Sequence, residues 1–259
     1  MKKTVEIDHN RCISCLGCVS ACGHGVLRQR QGEAYVDPAK SCFLCLHCAA
    51  VCPQRAISVP GISERELYEQ EYRDDFEKRI MTRRSVRSYR RDDGEPLRQL
   101  VVRALEVAQW SPNARNAREI KWLVVWGHER VAALADGLID KCRRQGYTEL
   151  VREYRQGVNP AVFGAPCLIL AAAPDESYDP PVDCAIATTT LELLLNNAGL
   201  GTCWAGYFLK LARRFPEVMA ALGLAQGWDI YCALCTGRPT GDMMLRVPWR
   251  AKPDSIWNV

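Results

Sequence analysis

The chain has 259 residues, of which 48% are apolar, so it can bury a core and is long enough for one or two domains. Its 34 lysines and arginines against 30 acidic residues leave a net charge of +4, too small to indicate nucleic-acid binding. The start of the chain turns polar where a secretion signal would need an apolar run, and no stretch reaches the roughly 18 apolar residues of a membrane helix. The composition predicts a cytoplasmic protein without nucleic-acid or membrane partners.

Cysteine usage divides the chain into two parts. Eight of the 14 cysteines lie within the first 52 residues, in two runs that share the spacing C-x2-C-x2-C-x3-C. A reducing compartment disfavours disulfides, and structural zinc takes two pairs of ligands that lie a dozen or more residues apart. Neither alternative fits the doubled run. The nearby histidines His9, His24 and His47 are not needed as ligands.

The doubled run resembles the bacterial two-cluster ferredoxin signature. In that family, three cysteines of one run and the last cysteine of the other hold each 4Fe-4S cluster. The resemblance implies a first thiol set of Cys12, Cys15, Cys18 and Cys52 and a second thiol set of Cys42, Cys45, Cys48 and Cys22. One departure leaves the occupancy of the second cluster open, because Gly23 follows Cys22 where the other run has Pro53.

Local signals predict where the domains meet. Residues 1–60 hold few large apolar side chains, so we expect two clusters to form the core of a small ferredoxin-like domain. The Pro/Gly break at 58–63 predicts a boundary, and residues 61–75 are the predicted linker and helix start. Ser63 and Glu66 fit a capping box that opens one amphipathic helix to about residue 80. The second domain is then 76–259.

Helical periodicity and short apolar runs alternate along the second domain. The pattern predicts helices over 97–110, 130–144, 184–199 and 211–223, and buried strands over 121–126, 167–173 and 229–235. Such alternation indicates a sheet layered with helices. Cys232 and Cys235 lie three apart in a strand and so face opposite ways, which favours buried core thiols there and at Cys167, Cys184 and Cys203.

Four segments of the second domain together resemble the FMN-dependent nitroreductase family. They are RRSVRSY (83–89), SPNARNAR (111–118), AGLGTCWAGYF (198–208) and VPWRAKP (247–253). The resemblance, which spans roughly residues 76–259, implies an α+β fold with a mixed sheet covered by helices. It also implies a homodimer with FMN at the subunit interface, and a proline-rich tail that reaches a partner subunit with Trp249 and Trp257.

The same resemblance implies the flavin contacts. It assigns Arg83, Ser85 and Arg250 to the FMN phosphate and Arg87 to the N1/C2 edge, with Arg84 as a further FMN-binding candidate at the variable position. Asn116 would bind the pyrimidine edge, and Pro112 and Asn113 lie in the loop before it. The glycine-rich segment 198–208 resembles the loop that offers backbone N–H groups to flavin N5, with Gly206 as the contact. The flavin carries the chemistry, so no catalytic side chain is assigned. The loop departs from the family pattern at residues 118–120, which leaves the substrate preference open, and residues 136–164, with Tyr147, Tyr154 and Phe163, are candidate pocket residues.

The predicted function is that of an iron–sulfur flavoprotein oxidoreductase. Electrons would pass from two 4Fe-4S clusters to FMN and on to a small-molecule acceptor such as a nitroaromatic or a quinone. The donor would be reduced ferredoxin or another one-electron carrier, with NAD(P)H as a further possibility. Two alternatives remain: an electron carrier whose acceptor is a partner protein, and an iron–sulfur regulator that binds nucleic acid through its arginine-rich segment.

Overall fold

The computed structural model describes residues 4–147, 159–241 and 246–251. The chain forms two compact units: a first unit of Met1–Arg83 together with Gly241–Val259, and a second unit of Arg84–Thr240. Across the described ranges, none of the helices combines the length and apolar character that a membrane crossing needs.

The first unit consists of short elements. Its strands and helices are β1 (Glu6–Ile7), α1 (Gly17–Ala21), β2 (Leu27–Arg30), β3 (Glu33–Val36), α2 (His47–Val51), β4 (Ile57–Ser58), α3 (Glu64–Tyr68) and α4 (Asp75–Thr82). β1 pairs antiparallel with β4, and β2 pairs antiparallel with β3. Each cysteine run therefore leads into one short helix.

The two cysteine runs have the same backbone conformation. Leu16 and Leu46, which directly precede α1 and α2, have φ of 59° and 58°. Ser14 and Leu44, two residues earlier in each run, have φ of 53° and 50°. Residues other than glycine rarely adopt this left-handed region, and they stay there only where the surrounding structure holds them. The sequence repeat is thus also a structural repeat, in which four strained residues turn the chain around the cysteines.

The single helix predicted from Ser63 to about residue 80 is wrong, because the structure breaks it in two. The capping box at its start is confirmed: the Ser63 hydroxyl accepts from the Glu66 N–H while the Glu66 carboxylate accepts from the Ser63 N–H. α3 nevertheless ends at Tyr68, whose buried hydroxyl donates to the Ile57 carbonyl at 2.6 Å. A new N-cap, Asp74, accepts from the Glu77 N–H and begins α4.

The compact units also differ from the predicted domain boundaries. The Pro/Gly segment forms a turn inside the first unit, where Val59 bridges to Ile62 and Gly61 has a φ of +83°. The division falls instead after Arg83. The tail joins the first unit as well, and Trp249 packs against its apolar core. The aromatic cover predicted from a partner subunit is therefore supplied for Trp249 by its own chain, while Trp257 lies outside the described residues.

The second unit is a helix-covered sheet. Its elements are α5 (Glu95–Ala108), β5 (Lys121–Trp126), α6 (His128–Arg144), β6 (Cys167–Pro174), α7 (Pro180–Asn197), β7 (Gly201–Trp204), α8 (Gly206–Ala212), α9 (Pro216–Ala221) and β8 (Trp228–Gly237). The strand order is β5-β6-β8-β7, and each neighbouring pair is antiparallel. Ser85 adds a parallel bridge to Thr202 at the β7 edge, which makes the sheet mixed.

Side chains of β6 alternate between two cores. Leu168 and Leu170 pack into the core that also contains Leu138 of α6 and Phe208 of α8. Ile169 faces the opposite core with helices α5 and α7. Because both faces of the strand are covered, it reads as the continuous apolar run that the sequence shows. The predicted fold class, an α+β sheet with helices on its faces, is confirmed.

Two local predictions in the second unit need correction. The helix predicted over 211–223 is two helices: α8 ends at Ala212 and α9 begins at Pro216, because a residue that precedes proline disfavours the helical conformation. The glycine-rich segment 198–208, which the family resemblance implies to be a loop, contains strand β7. Gly201 is needed there for space, since an added Cβ would lie 2.8 Å from a methyl carbon of Val86.

The interpretation of the scattered cysteines as core thiols is confirmed. Cys232 and Cys235 of β8 are 6% and 0% exposed, and they belong to different core clusters on opposite faces of the sheet. Burial raises the pKa of both thiols. Cys167, Cys184 and Cys203 are buried as well. These thiols stay protonated in apolar surroundings and serve as small core side chains.

Candidate functional site

Each predicted thiol set surrounds one small pocket of the first unit. Cys12, Cys15, Cys18 and Cys52 line a pocket whose apolar wall includes Leu16 and Ile57. Cys22, Cys42, Cys45 and Cys48 line a second pocket whose wall includes Val26 and Leu46. The structure thus brings together the two crossed sets, with the last cysteine of each run in the other run's pocket.

The thiols of each set influence each other electrostatically. Burial, followed by the neighbouring charges of Cys52 and Cys12, raises the pKa of Cys18 to about 11. Burial also raises the pKa of Cys48, and the charges of Cys45, Cys22 and Cys42 raise it further. Such thiols become thiolates only when a cation compensates their charge. The donor set therefore fits a positively charged iron–sulfide core, and within the described ranges no three His, Cys, Asp or Glu side chains converge to hold a single metal ion.

Backbone N–H groups already point at the sulfur atoms. Leu27 N–H donates to Cys22 Sγ at 3.4 Å, Leu44 N–H to Cys42 Sγ at 3.4 Å and Ala56 N–H to Cys52 Sγ at 3.3 Å. Donors of this kind stabilise negative charge on sulfur, and they help to set the reduction potential of a bound cluster. They involve both thiol sets.

The arginine-rich segment 83–91 runs along the open edge of β7. Val86 N–H donates to the Thr202 carbonyl at 2.7 Å, next to the bridge that Ser85 makes. Arg84, Ser85 and Arg87 belong to the second unit. Arg83 belongs to the first unit, at the end of its segment Met1–Arg83. The Arg87 guanidinium lies over the Phe163 ring, with Cζ 5.4 Å from the ring centroid.

Arg87 and Phe163 line a cavity of about 880 Å³. The cavity adjoins the carboxyl end of β5 and the start of α6, where Trp126, Gly127 and His128 also contribute to its wall. Phe163, predicted as a pocket residue, is therefore found there. Tyr147 instead accepts a hydrogen bond from Arg214, and Tyr154 lies outside the described residues.

The asparagine loop lines a different cavity, of about 610 Å³, at the beginning of β5. Pro112, Asn113 and Asn116 form part of its wall together with Trp122. A hydrogen bond fixes the loop to α7, because the Ala114 N–H donates to Asp183 Oδ1 at 2.9 Å.

Backbone strain and a side-chain bond also shape this loop. Arg115, Asn116 and Arg118 all have φ between 53° and 55°, a region that favours glycine. Arg118, one of the residues that departs from the family pattern, donates from Nε to Asn116 Oδ1 at 3.3 Å. A residue at the departure from the family pattern therefore contacts the Asn116 side chain directly.

Gly206 is the first residue of α8, and only Ala205 lies between it and the end of β7. It is exposed, and an added Cβ would meet no atom within 4 Å, so its backbone is open to an approaching group. As the first residue of a helix, its N–H has no acceptor within that helix.

Sequence reasoning missed a buried acid beside this position. Glu192 of α7 is 4% exposed, and its carboxylate accepts from the Thr202 hydroxyl at 3.0 Å and from Trp204 Nε1 at 2.9 Å. Asn196 Nδ2 donates to the Thr202 hydroxyl oxygen at 2.8 Å. Glu192 is the one charged residue in the run 184–199, and that was the signal that could have marked it.

Arg250 lies in the first unit, where its Nη1 donates to the Cys45 carbonyl at 3.1 Å. The FMN phosphate contact that the resemblance implies for Arg250 stays a prediction. Val247 is 5% exposed, and its burial fixes the tail to the first unit. A second tail arginine that the sequence did not single out, Arg246, donates to the Cys52 carbonyl at 2.7 Å.

Comparisons with solved structures show the same fold in other proteins. A nitroreductase with bound FMN from Bacteroides fragilis is 19% identical over 72% of this chain and 100% of that chain, with a TM-score of 0.57. A nitroreductase with bound FMN from Desulfitobacterium hafniense is 22% identical over 73% of this chain and 100% of its own, also with a TM-score of 0.57. An FMN- and NADPH-dependent nitroreductase from Sphigopyxis sp. is 20% identical over 70% of this chain and 97% of its own, with a TM-score of 0.52.

Two family models match this chain, whereas no curated protein does. The model of a 4Fe-4S dicluster domain matches residues 11–57, which contain both cysteine runs. The model of the nitroreductase family matches residues 80–238, more than half of the chain. The chain therefore belongs to the nitroreductase family and carries a 4Fe-4S dicluster domain at its N-terminal end.

Proposed function

We propose that this protein is an FMN-dependent oxidoreductase that draws electrons from two 4Fe-4S clusters and delivers them to an organic acceptor. The observation that carries the proposal is the pair of pockets, each lined by one complete thiol set, in a chain of the nitroreductase family. When bound, the clusters supply single electrons and the flavin collects them into a pair for an acceptor such as a nitroaromatic or a quinone.

The chain's own residues hold and tune these groups. In the first unit, the two thiol sets bind the clusters, and the three N–H donors stabilise negative charge on their sulfur atoms. In the second unit, Arg87 favours the reduced flavin by placing positive charge near the N1/C2 edge. Arg83, Arg84 and Ser85 serve the phosphate, and the exposed backbone of Gly206 serves N5.

The flavin is held between two copies of the chain. Arg87 and the asparagine loop line different cavities, which adjoin Trp126 and Trp122 at opposite ends of β5. Trp122 and Trp126 are four positions apart along the strand, which places them about 13 Å from each other. One flavin that meets both groups is therefore best served by Arg87 of one copy and Asn116 of the other, which supports a homodimer.

The test begins with anaerobic purification of the full chain and quantification of iron, sulfide and flavin. Reduced ferredoxin, NADH and NADPH are then compared as donors against nitroaromatic and quinone acceptors. We expect turnover with ferredoxin to depend on the clusters. The matched variant is Cys15→Ser with Cys45→Ser, which removes one ligand from each set.

The proposal fails if the ligand variant reduces every acceptor as fast as the unmodified protein with each donor. It also fails if the iron-replete protein binds no flavin. Full reduction of clusters and flavin without multiple turnover of any small acceptor would instead favour an electron carrier that serves a partner protein.

A further inference from the structure

Residues 246–251 belong to the first unit, the same unit that contains both cysteine runs. Among its described residues 246–251, Val247 and Pro248 are buried and Trp249 packs against the core that contains Cys18 and Cys48. The tail is thus an integral part of the iron–sulfur unit rather than a loose terminus.

Arg246 contacts the first thiol set. Its backbone N–H donates to the Ala50 carbonyl at 3.1 Å, which fixes the residue beside α2. Its guanidinium donates from Nη1 to the carbonyl of Cys52 at 2.7 Å and has Cζ 5.7 Å from the Tyr68 ring centroid. The Arg246 guanidinium is therefore held at the backbone carbonyl of Cys52, whose sulfur atom belongs to the first thiol set.

Arg250 makes the corresponding contact with the second thiol set. Its Nη1 donates to the carbonyl of Cys45 at 3.1 Å. The two arginines lie four positions apart in the sequence, and each reaches a cysteine of a different set. The tail thus gives each of the two pockets one positive charge.

We propose that Arg246 raises the reduction potential of the cluster in the first thiol set, and that Arg250 does the same for the cluster in the second. The proposal rests on occupation of both sets by 4Fe-4S clusters. Reduction adds one negative charge to a cluster, and a nearby fixed cation stabilises the more negative state. Each guanidinium acts through a ligand's backbone carbonyl, so it is a tuning residue and not a ligand.

The arrangement also explains why the charge is delivered by arginine. A guanidinium carries a delocalised positive charge, and its planar donors hold a carbonyl in a fixed direction. The effect of each arginine on a cluster potential follows from that fixed position. It depends on the position of the tail, because Val247 and Trp249 anchor the segment that carries both arginines.

The experiment is a redox titration of the anaerobically purified full chain, followed by the EPR signals of the reduced clusters. Arg246→Gln removes the charge beside Cys52, and Arg250→Gln removes the charge beside Cys45. Arg30→Gln is the matched control, because this exposed arginine of the same unit lies over the Tyr35 ring. We expect Arg246→Gln to make one cluster potential more negative and Arg250→Gln to make the other more negative, while Arg30→Gln changes neither.

Arg246→Lys separates charge from structure. It keeps the positive charge, so we expect a smaller shift than in Arg246→Gln with an unchanged iron content. The proposal is overturned if Arg246→Gln and Arg250→Gln both retain iron and keep both potentials, or if both shift the same cluster. Loss of iron in both Arg246→Gln and Arg246→Lys also overturns it, since the residue would then be structural. Absence of clusters from the unmodified protein would instead reject the proposed function.

Discussion

Trp204 donates its indole N–H to Glu192 Oε2 at 2.9 Å, and so connects the edge strand β7 to the buried face of α7. The other carboxylate oxygen accepts from Thr202, whose backbone carbonyl in turn accepts from Val86. Glu192 therefore holds strand β7 in place. The arginine-rich segment pairs with one side of this strand, and Gly206 follows shortly after its end. This relationship positions two parts of the proposed flavin site.

Replacement of Glu192 tests that role. In Glu192→Gln the side chain keeps one acceptor oxygen for two donors, so we expect a loss of about 1–3 kcal/mol in the free energy of unfolding. Glu192→Ala leaves both donors without a partner and creates a cavity, and should cost more. Urea unfolding followed by far-UV circular dichroism measures both values.

The control for this comparison is Glu106→Gln on the exposed face of α5. Glu106 is 54% exposed and pairs with Arg103 three residues earlier, so we expect a change within about 0.5 kcal/mol. Equal stability of Glu192→Gln and Glu106→Gln would show that the buried network does not hold the β7 edge.

Space at Gly201 gives a second prediction. An added Cβ would lie 2.8 Å from both methyl carbons of Val86, so Gly201→Ala should destabilise the protein by about 1–3 kcal/mol. Val86→Ala removes both methyl carbons but keeps the Cβ, which would lie 2.9 Å from the added Cβ, so Gly201→Ala with Val86→Ala should restore only part of that loss. Gly137→Ala is the opposite control: the exposed helical Gly137 has no atom within 4 Å of an added Cβ, and alanine there should stabilise by up to about 1 kcal/mol. Thermal unfolding midpoints measure these changes. A midpoint of Gly201→Ala equal to that of the unmodified protein would contradict the steric argument.

Ligand crossing gives a third prediction. Cys15→Ser and Cys52→Ser should remove the same cluster, although these residues come from different runs, because both line the first pocket. Cys45→Ser and Cys22→Ser should remove the other. Iron analysis and EPR of the reduced protein would then show half of the iron and one signal in each variant. Cys142→Ser, in the second unit, should keep all of the iron, and shared loss between Cys52→Ser and Cys45→Ser would disprove the crossing.

The shared flavin gives a fourth prediction, by complementation. Arg87→Gln and Asn116→Ala should each weaken FMN binding in their own homodimers. A mixed dimer of the two variants contains one intact site, so co-expressed, differently tagged chains should bind about half of the flavin of the unmodified dimer.

The control for complementation carries both substitutions on one chain. Paired with an unmodified chain, that double variant leaves one defect in each of the two sites, so the mixed dimer should bind flavin weakly. The reverse result, with about half of the flavin in the double-variant dimer and little in the mixed dimer of single variants, would mean that Arg87 and Asn116 serve the same site of one chain.

The sequence predicted what periodicity and spacing encode. β5 was predicted with the bounds that the structure has, because both of its ends are marked by polar or glycine residues. The grouping of Cys52 with the first run followed from the resemblance of the repeated spacing to the two-cluster ferredoxin signature. The break between α3 and α4 could not be predicted from periodicity, because it depends on the bond from Tyr68 to the distant Ile57 carbonyl. The contacts of Arg246 and Glu192 likewise depend on residues far away in the chain.

The first unit is assembled from both termini of the polypeptide. During synthesis the cysteine runs leave the ribosome first, whereas Arg246 and Trp249 follow only after the whole second unit has been made. The cysteine-rich segment thus waits for residues 246–251 before its packing is complete. A chain that ends before Arg246 would leave the apolar core of the first unit without the cover of Trp249.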